Sequence, residues 1–258
     1  MSTIIYESPI FGPVQSRRLG VSLGINLLPA SGKVCSFDCV YCECGFGKDT
    51  RTKENLPSRN TVKKQLEKKL IEMSLATQLP EDISFAGNGE PTLHPDFYDI
   101  VKDTILLRDQ YVPSASISVL TNGANILDEK VFQGLLLVDN NLVKLDTVDM
   151  DYIRLVNRPN PFYNVEKIIN QLVRFGKNCV IQTLFMTGEF NGKSVDNTTP
   201  DYVLPWIEVV MKIRPREVMI YTIDRETPAK GLKKASHESL DAIVQRLEDQ
   251  GIIASASY

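Results

Sequence analysis

The sequence lacks a large positive net charge, which would attract nucleic acid, and a long apolar run, which would span a membrane. Its 258 residues include 29 Lys and Arg against 32 Asp and Glu, a formal net charge of −3, so no overall basic field attracts nucleic acid or anionic lipid. No apolar run approaches the roughly 18 residues that a membrane helix needs. The first residues carry neither a basic segment nor a long apolar one. We therefore expect a cytoplasmic protein without a membrane partner, although a local basic groove is compatible with this composition.

Cysteine is scarce outside one short stretch. Of the five cysteines, Cys35, Cys39, Cys42 and Cys44 lie within KVCSFDCVYCECGFG, residues 33–47. Thiols stay reduced in the cytosol, so a disulfide scaffold is a poor explanation of this group. The fifth, Cys179, opens an apolar run and is predicted to be a core residue.

Short runs rich in β-branched residues alternate with segments of helical period along the chain. Such runs predict strands, and they cover GKVCSF at 32–37 and residues 82–87, 115–121, 142–146, 179–186 and 217–224. Between them, apolar residues recur at helical spacing, as at Val62, Leu66, Leu70 and Met73. Strand then helix, about six times over, predicts an α/β fold with a parallel sheet.

The predicted strands end in polar or glycine-rich residues. The number of strands with such ends helps to decide between an open sheet and a barrel. In an open sheet, ligand groups concentrate at one switch point, whereas in a (β/α) barrel every strand can contribute its carboxyl end to one site. Six polar ends favour a partial, TIM-like (β/α)6 barrel. Because no repeat or linker divides the chain, we expect one domain over 1–258, with an N-terminal extension at 1–30, a barrel core at about 31–225 and a C-terminal helical region at 226–258.

Four interpretations compete for the cysteines of CSFDCVYCEC. Buried structural thiols are one, but free cysteines in cores are not bunched in this way. A structural zinc site is the second, although zinc folds usually use two separated pairs of ligands. A redox pair fits Cys39 and Cys42 and leaves Cys35 unexplained. The fourth is an iron–sulfur cluster, whose irons are held by thiolates.

The spacing C-x3-C-x2-C resembles the cluster loop of the radical SAM superfamily. The resemblance implies one [4Fe–4S] cluster held by Cys35, Cys39 and Cys42, with one iron left for S-adenosylmethionine (SAM). It also implies that Tyr41, just before the third cysteine, lies beside the SAM adenine. Three interpretations of Cys44 stay open: a competitor for the open iron, a hydrogen-atom donor to a product radical, or a small residue under a glycine turn.

The stretch AGNGEPTLHP occupies the position of the glycine-glycine-glutamate motif of that superfamily. On this resemblance Glu90 accepts hydrogen bonds from the SAM ammonium, while Gly87, Asn88 and Gly89 shape the turn. The alternative is an ordinary strand-to-helix turn that Glu90 caps.

Two further strand ends carry candidate cofactor contacts. Thr121 and Asn122, in VLTNG, belong to a turn signal, and their position resembles superfamily residues that touch the SAM carboxylate or ribose. Gln182 is the one residue of VIQTLF with an amide side chain, and we interpret it as a ribose or substrate contact.

The candidate catalytic or substrate-binding residues are charged or aromatic. Lys144 and Asp146 lie two apart and so point to the same side of a strand. Such a pair inside a barrel either forms a salt bridge that closes the barrel or contacts the substrate. Tyr221 ends the last predicted strand. Arg17 and Arg18 either clamp a phosphate or carboxylate or are a surface pair on an extended segment.

Several stretches together resemble one subgroup, the wyosine-synthase-like radical SAM proteins. They are GPVQSRRLGVSLGINLLP, CSFDCVYCECG, GNGEPTLHPDF, LVKLD with NRP at 157–159, VIQTLF, and PREVMIYTIDRETPAKGL, so the likeness runs from about residue 12 to 232. The characterised branch of that subgroup builds a tricyclic base on a guanosine of tRNA, with pyruvate as carbon donor. This chain departs from that branch: it has no cysteine before residue 35 to hold a second cluster, and its net charge is not that of a tRNA binder.

The resemblance implies an iron–sulfur oxidoreductase that cleaves SAM and abstracts a hydrogen atom from a substrate. We expect its partners to be an electron donor such as flavodoxin or ferredoxin, and a substrate that is a small molecule or a tRNA. The alternatives are wyosine-type tRNA modification, a non-catalytic iron–sulfur or zinc protein, and a radical SAM fold that serves only in binding or electron transfer.

Overall fold

Two sheets contain all of the strands that the structure describes. The computed structural model describes residues 3–16, 18–76 and 79–258. The strands are β1 Ile10–Ser16, β2 Gly20–Ile25, β3 Asp82–Phe85, β4 Ser116–Thr121, β5 Asn140–Lys144, β6 Val180–Leu184, β7 Met186–Phe190, β8 Lys193–Ser194, β9 Glu217–Tyr221, β10 Leu232–Lys234 and β11 Ala254–Ser257.

The helices lie between the strands in the sequence. They are α1 Gly47–Thr50, α2 Arg59–Leu75, α3 Phe97–Tyr111, α4 Glu129–Leu136, α5 Met150–Tyr152, α6 Val165–Phe175, α7 Pro200–Ile213 and α8 His237–Glu248. Short 3-10 turns cover Pro91–Leu93 and Gly176–Asn178, and one π-helical segment, Ile153–Asn157, follows α5.

The main sheet has the order β1-β2-β3-β4-β5-β6-β9-β11. The pair of β1 and β2 is antiparallel, and every other neighbouring pair is parallel. Each of β2, β3, β4, β5, β6 and β9 is followed by one of the longer helices before the next parallel strand, which makes six β/α units. The sheet curls into a half-barrel with β1 and β11 at its edges, and the predicted partial (β/α)6 fold is confirmed.

The helical faces predicted from spacing are the buried ones. In α2, Val62, Leu66, Leu70 and Met73 are buried, and Ser58 caps the helix by accepting a hydrogen bond from the Thr61 amide. All residues of β3 and of β6 are buried, as expected for parallel strands covered on both faces. One large apolar core between the sheet and its helices results.

One strand prediction is wrong. Residues 32–37, GKVCSF, form no strand and make only isolated bridges, Lys33 to Arg51 and Val34 to Gly89. The first parallel strand is β2, within the segment 1–30 that the sequence assigned to an extension. The small and apolar residues that alternate in β2 predict a strand less strongly than the GKVCSF segment does. The cysteines therefore lie in a long loop between β2 and α2.

A small antiparallel sheet, in the order β10-β7-β8, follows the carboxyl end of β6. Its residues Met186 and Leu232 pack with Val40 and Val156 in a second apolar cluster beside the cysteine loop. This packing holds the loop against the barrel.

None of the helices in the described ranges combines the length and the apolar character needed to cross a membrane.

Candidate functional site

The cysteine loop, residues 33–47, is held across the carboxyl ends of the strands by backbone hydrogen bonds. The Val34 amide donates to the Asn88 carbonyl at 2.9 Å, and the Glu90 amide donates to the Val34 carbonyl at 3.1 Å. On the other side, the Val40 amide donates to the Val156 carbonyl at 2.9 Å. The loop is therefore fixed both to the turn after β3 and to the segment after β5.

Hydrogen-bond donors point at the sulfurs of two of the predicted ligands. Sγ of Cys35 lies 3.4 Å from the Phe37 amide and 3.5 Å from Nδ2 of Asn122. Sγ of Cys39 lies 3.8 Å from Nδ2 of Asn157. Burial raises the pKa of Cys39 to about 11 and also raises that of Cys35. Such donors, like a bound metal, would favour the thiolate that burial opposes.

Cys42 and Cys44 share a hydrogen bond, which shifts their pKa values in opposite directions. This bond lowers the pKa of Cys42 and raises that of Cys44, so it favours the thiolate at Cys42. Cys44 is buried, and its Sγ lies 3.5 Å from the Gly87 carbonyl oxygen. The interpretation of Cys44 as a small residue under a turn agrees with this burial.

The donor set fits the [4Fe–4S] cluster that the resemblance of the cysteine loop implies. Cys35, Cys39 and Cys42 belong to one loop, and each has a donor or a cation within electrostatic reach. In the described ranges, no three His, Cys, Asp or Glu side chains converge as ligands of one metal ion. A cubane cluster does not require that convergence, because each cysteine binds a different iron.

The turn after β3 depends on two glycines. Gly87 has φ +131° and Gly89 has φ +136°, a region that favours glycine. A Cβ on Gly89 would also lie 1.9 Å from the Val34 carbonyl oxygen, so only glycine lets the cysteine loop approach. Asn88 is fully buried and donates to the carbonyls of Pro29 and Tyr6 at 2.8 and 2.9 Å. Asn88 therefore holds the turn together.

Glu90 is buried and joins the turn after β3 to the end of β4. Its Oε1 accepts from the Thr92 amide at 3.2 Å and from the hydroxyls of Thr92 and Thr121 at 2.5 and 2.7 Å. Its Oε2 accepts from the Asn122 amide at 2.7 Å. Burial raises the pKa of Glu90, although these hydrogen bonds oppose the shift. Glu90 thus caps the 3-10 turn, and its role toward SAM stays a prediction.

Four polar side chains meet at the end of β5. Nζ of Lys144 lies 2.6 Å from Oδ2 of Asp146, and the Tyr41 hydroxyl bonds to both groups. Nδ2 of Asn157 donates to the same Oδ2 at 2.9 Å and to the Tyr41 hydroxyl at 3.1 Å. Although burial lowers the pKa of Lys144, Asp146 raises it, and the net shift is upward. Lys144 and Asp146 therefore form the predicted salt bridge; substrate contact stays a prediction.

Three other candidates meet beside this group, since Gln182 of β6 is the register partner of Lys144 in β5. The guanidinium of Arg18 lies 4.6 Å above the ring of Tyr221 and donates to Oε1 of Gln182. Burial raises the pKa of the Tyr221 hydroxyl. Arg17 lies outside the described residues. Cys179 is buried in the core, as predicted.

An open cavity of about 670 Å³ is lined by part of this site. Its lining includes Arg18, Tyr41, Cys42, Gly89 and Tyr221, so it runs from the cysteine loop to the barrel lumen. This volume is in the range of small-molecule and cofactor sites. The arrangement can bind a ligand between the cysteine loop and a cationic, aromatic wall.

Two residues of the site have no role predicted from the sequence. Lys33 is only 2% exposed, and Asn157 is 2% exposed within the π-helical segment. Lys33 had no periodic pattern around it. The only sequence signal for Asn157 is that it begins the NRP stretch at 157–159, part of the subgroup likeness.

The fold and site define an α/β half-barrel protein with a cysteine loop at the carboxyl ends of its strands. Residues 31–196 match the radical SAM superfamily. Because this match covers more than half of the chain, the chain belongs to that superfamily. The finer assignment to the wyosine-synthase-like subgroup stays a prediction.

Two relatives and one solved structure illustrate the likeness. A Brachyspira hyodysenteriae protein named GTPase Obg is 31% identical over 232 residues, 90% of this chain and 32% of that protein. A UPF0026 protein of Methanocaldococcus jannaschii is 29% identical over 243 residues, 91% of this chain and 69% of the relative. A radical SAM methyltransferase from Sphaerobacter thermophilus superposes with a TM-score of 0.67 at 16% identity, covering 92% of this chain and 66% of the other. The chain thus spans about a third of the first relative, and the third likeness concerns the fold alone.

Proposed function

We propose that the chain is a radical SAM enzyme whose [4Fe–4S] cluster is held by Cys35, Cys39 and Cys42. The observation that carries this proposal is that the three thiols share one loop across the carboxyl ends of parallel strands, with Cys42 in the cavity wall. When bound, the cluster supplies the electron that splits SAM into methionine and a 5′-deoxyadenosyl radical, which takes a hydrogen atom from the substrate.

The turn after β3 would bind the methionine end of SAM. Oε2 of Glu90 accepts one protein hydrogen bond, from Asn122, and a carboxylate oxygen has room for a second. The SAM ammonium is the donor that we assign to this position. Gly87 and Gly89 permit close approach of the backbone, and Thr121 fixes the other carboxylate oxygen.

The other walls of the cavity would orient the nucleoside and the substrate. Lys144 lies 4.5 Å from the centre of the Tyr41 ring, and together with Asp146 it fixes the hydroxyl, so the ring has one orientation for the adenine. We assign Arg18 and Tyr221 to the substrate, because a guanidinium and a phenol recognise anionic and aromatic groups. Gln182 holds Arg18 in place.

The proposed partners are an electron donor of the flavodoxin or ferredoxin type and a substrate that is a small molecule or one nucleotide of a tRNA. A cavity of about 670 Å³ that must also hold SAM leaves room for a small reacting group only. Mass spectrometry of molecules and RNA that copurify with the protein would identify the substrate.

The test is reductive cleavage of SAM by anaerobically reconstituted protein supplied with dithionite. Chromatography should detect 5′-deoxyadenosine, and its formation should be lost in Cys39→Ala but kept in Cys179→Ala, a buried cysteine far from the loop. An intact cluster that forms no 5′-deoxyadenosine would support a non-catalytic iron–sulfur protein instead. Zinc in place of iron would support a structural metal site.

A further inference from the structure

One buried cation lies inside the cysteine loop. Nζ of Lys33 donates to the Gly45 carbonyl at 2.9 Å and to Oδ1 of Asp38 at 3.2 Å, and the side chain is 2% exposed. The Lys33 amide also donates to the Thr50 carbonyl at 2.8 Å. A lysine is rarely buried so completely unless its charge is compensated.

Asp38 alone does not compensate that charge. Its Oδ2 also pairs with Arg158 at 3.3 Å, so one carboxylate lies between two cations. The Gly45 carbonyl contributes a dipole and no charge. The other groups that could carry negative charge near Lys33 are the cysteines of the loop, because the two residues that Nζ contacts, Asp38 and Gly45, adjoin Cys39 and Cys44 in the sequence. Lys33 is therefore positioned toward the whole ligand set of the proposed cluster.

We infer that Lys33 is a positioning residue that raises the reduction potential of the cluster by placing a fixed positive charge within its cysteine loop. This inference rests on the proposed function. One electron passes from a low-potential carrier of the flavodoxin or ferredoxin type to the cluster, which changes from [4Fe–4S]2+ to [4Fe–4S]1+. The carrier is oxidised by one electron, and no bond or proton changes at Lys33. Because the electron adds one negative charge to a buried site, a nearby cation favours the reduced form.

The decisive experiment compares Lys33→Met with Asp38→Asn in the reconstituted protein, using a potentiometric titration followed by electron paramagnetic resonance. Lys33→Met should disfavour the reduced form at least about tenfold, a fall of about 59 mV for one electron. Asp38→Asn removes a negative charge, so the potential should rise. The asparagine oxygen can still accept the Gly47 amide that Oδ1 accepts now at 2.6 Å, which preserves the loop.

Opposite signs separate an electrostatic role from a structural one, because a loosened loop would shift both variants in the same direction. Lys33→Arg should keep a potential near that of the wild type, and Lys48→Met, at an exposed lysine in α1 directly after the loop, serves as the matched control. Shifts of the same sign, or an unshifted Lys33→Met, would overturn the inference. If Lys33→Met holds no cluster, Lys33→Gln takes its place in the titration: a fall supports the inference and no fall overturns it. A wild type that holds a cluster but cleaves no SAM would overturn the proposed function alone.

Discussion

Asn157 and Asp146 are joined by a hydrogen bond of 2.9 Å from Nδ2 to Oδ2, and this bond links the barrel to the cysteine loop. The same Nδ2 lies 3.8 Å from Sγ of Cys39, which is 118 residues earlier in the sequence. Asp146 is anchored in turn, because its Oδ1 accepts the Leu184 amide at 3.0 Å. Asn157 therefore connects Cys39 to Asp146, which is itself bonded to β6.

The first prediction follows from this link. Asn157→Ala should bind iron more weakly, because an outer-shell partner of a metal ligand typically contributes about 10–100-fold in affinity. The measurement is iron retention during competition with a chelator. Asn60→Ala, on the exposed face of α2, is the control and should retain iron like the wild type. Equal retention in both variants would show that Asn157 does not support the cluster.

The second prediction concerns which thiols hold the metal. Cys39→Ala should lose most of its iron, whereas Cys44→Ala should keep the full iron content and still cleave SAM. The reason is that three thiolates suffice, and Cys44 is buried between Cys42 and the Gly87 carbonyl.

Iron and sulfide analysis of the two variants checks this assignment. Cluster loss in Cys44→Ala, or iron for two clusters in the wild type, would contradict it. Since Cys44 loses its bond to Cys42 on substitution, the Cys42 pKa should rise in the metal-free variant. Thiol titration with an alkylating reagent measures that rise.

Periodicity explains how much of the fold the sequence could predict. The strand runs and the buried face of α2 repeat at fixed spacing, so local pattern suffices. The GKVCSF segment has an apolar, strand-like composition, yet its amides bond to the turn after β3 and to Thr50 instead of a neighbouring strand. That partner choice depends on residues far along the chain, and no local pattern contains it.

The site shows the same limit. The cysteines and the glycine-rich turn were found because their residue types and spacing carry chemistry. Lys33 and Asn157 are single polar residues whose roles come from burial and from contacts across the fold. The pairing of Lys144 with Asp146 was predictable from their spacing of two residues, although β5 ends at Lys144. The addition of Tyr41 to the pair was not predictable.

The third prediction concerns this salt bridge. Asp146→Asn should be more destabilising than Lys144→Met, because it leaves a buried ammonium without an anion, at a cost of about 3–5 kcal/mol. In Lys144→Met the carboxylate retains donors from Asn157, Tyr41 and Leu184, so the loss should be smaller. Urea unfolding measures both.

A matched surface pair provides the control for that comparison. Lys69 and Glu72 lie 3.0 Å apart on α2, and Lys69→Met should cost no more than about 1 kcal/mol. If Lys144→Met proves as stable as the wild type yet binds substrate poorly, the substrate-contact interpretation of Lys144 gains support. Equal losses in the two site variants would contradict the asymmetry.

The last prediction concerns Glu90 and depends on pH. Burial raises the pKa of Glu90 above its ordinary value of 4.5, so just above that pH the folded state binds a proton that the unfolded state has released. The contribution of Glu90 to stability therefore falls as the pH rises from 4.5 through the folded pKa. SAM binding has the opposite dependence, because only the carboxylate makes a charge-assisted bond to the ammonium.

Glu90→Gln should bind SAM about ten- to a hundredfold more weakly at neutral pH, the loss of about 1.5–3 kcal/mol. Across the same pH window, calorimetry should show SAM affinity rising in the wild type and staying flat in Glu90→Gln, with the cluster intact in both. Equal affinities at neutral pH would leave Glu90 as the cap of the 3-10 turn alone.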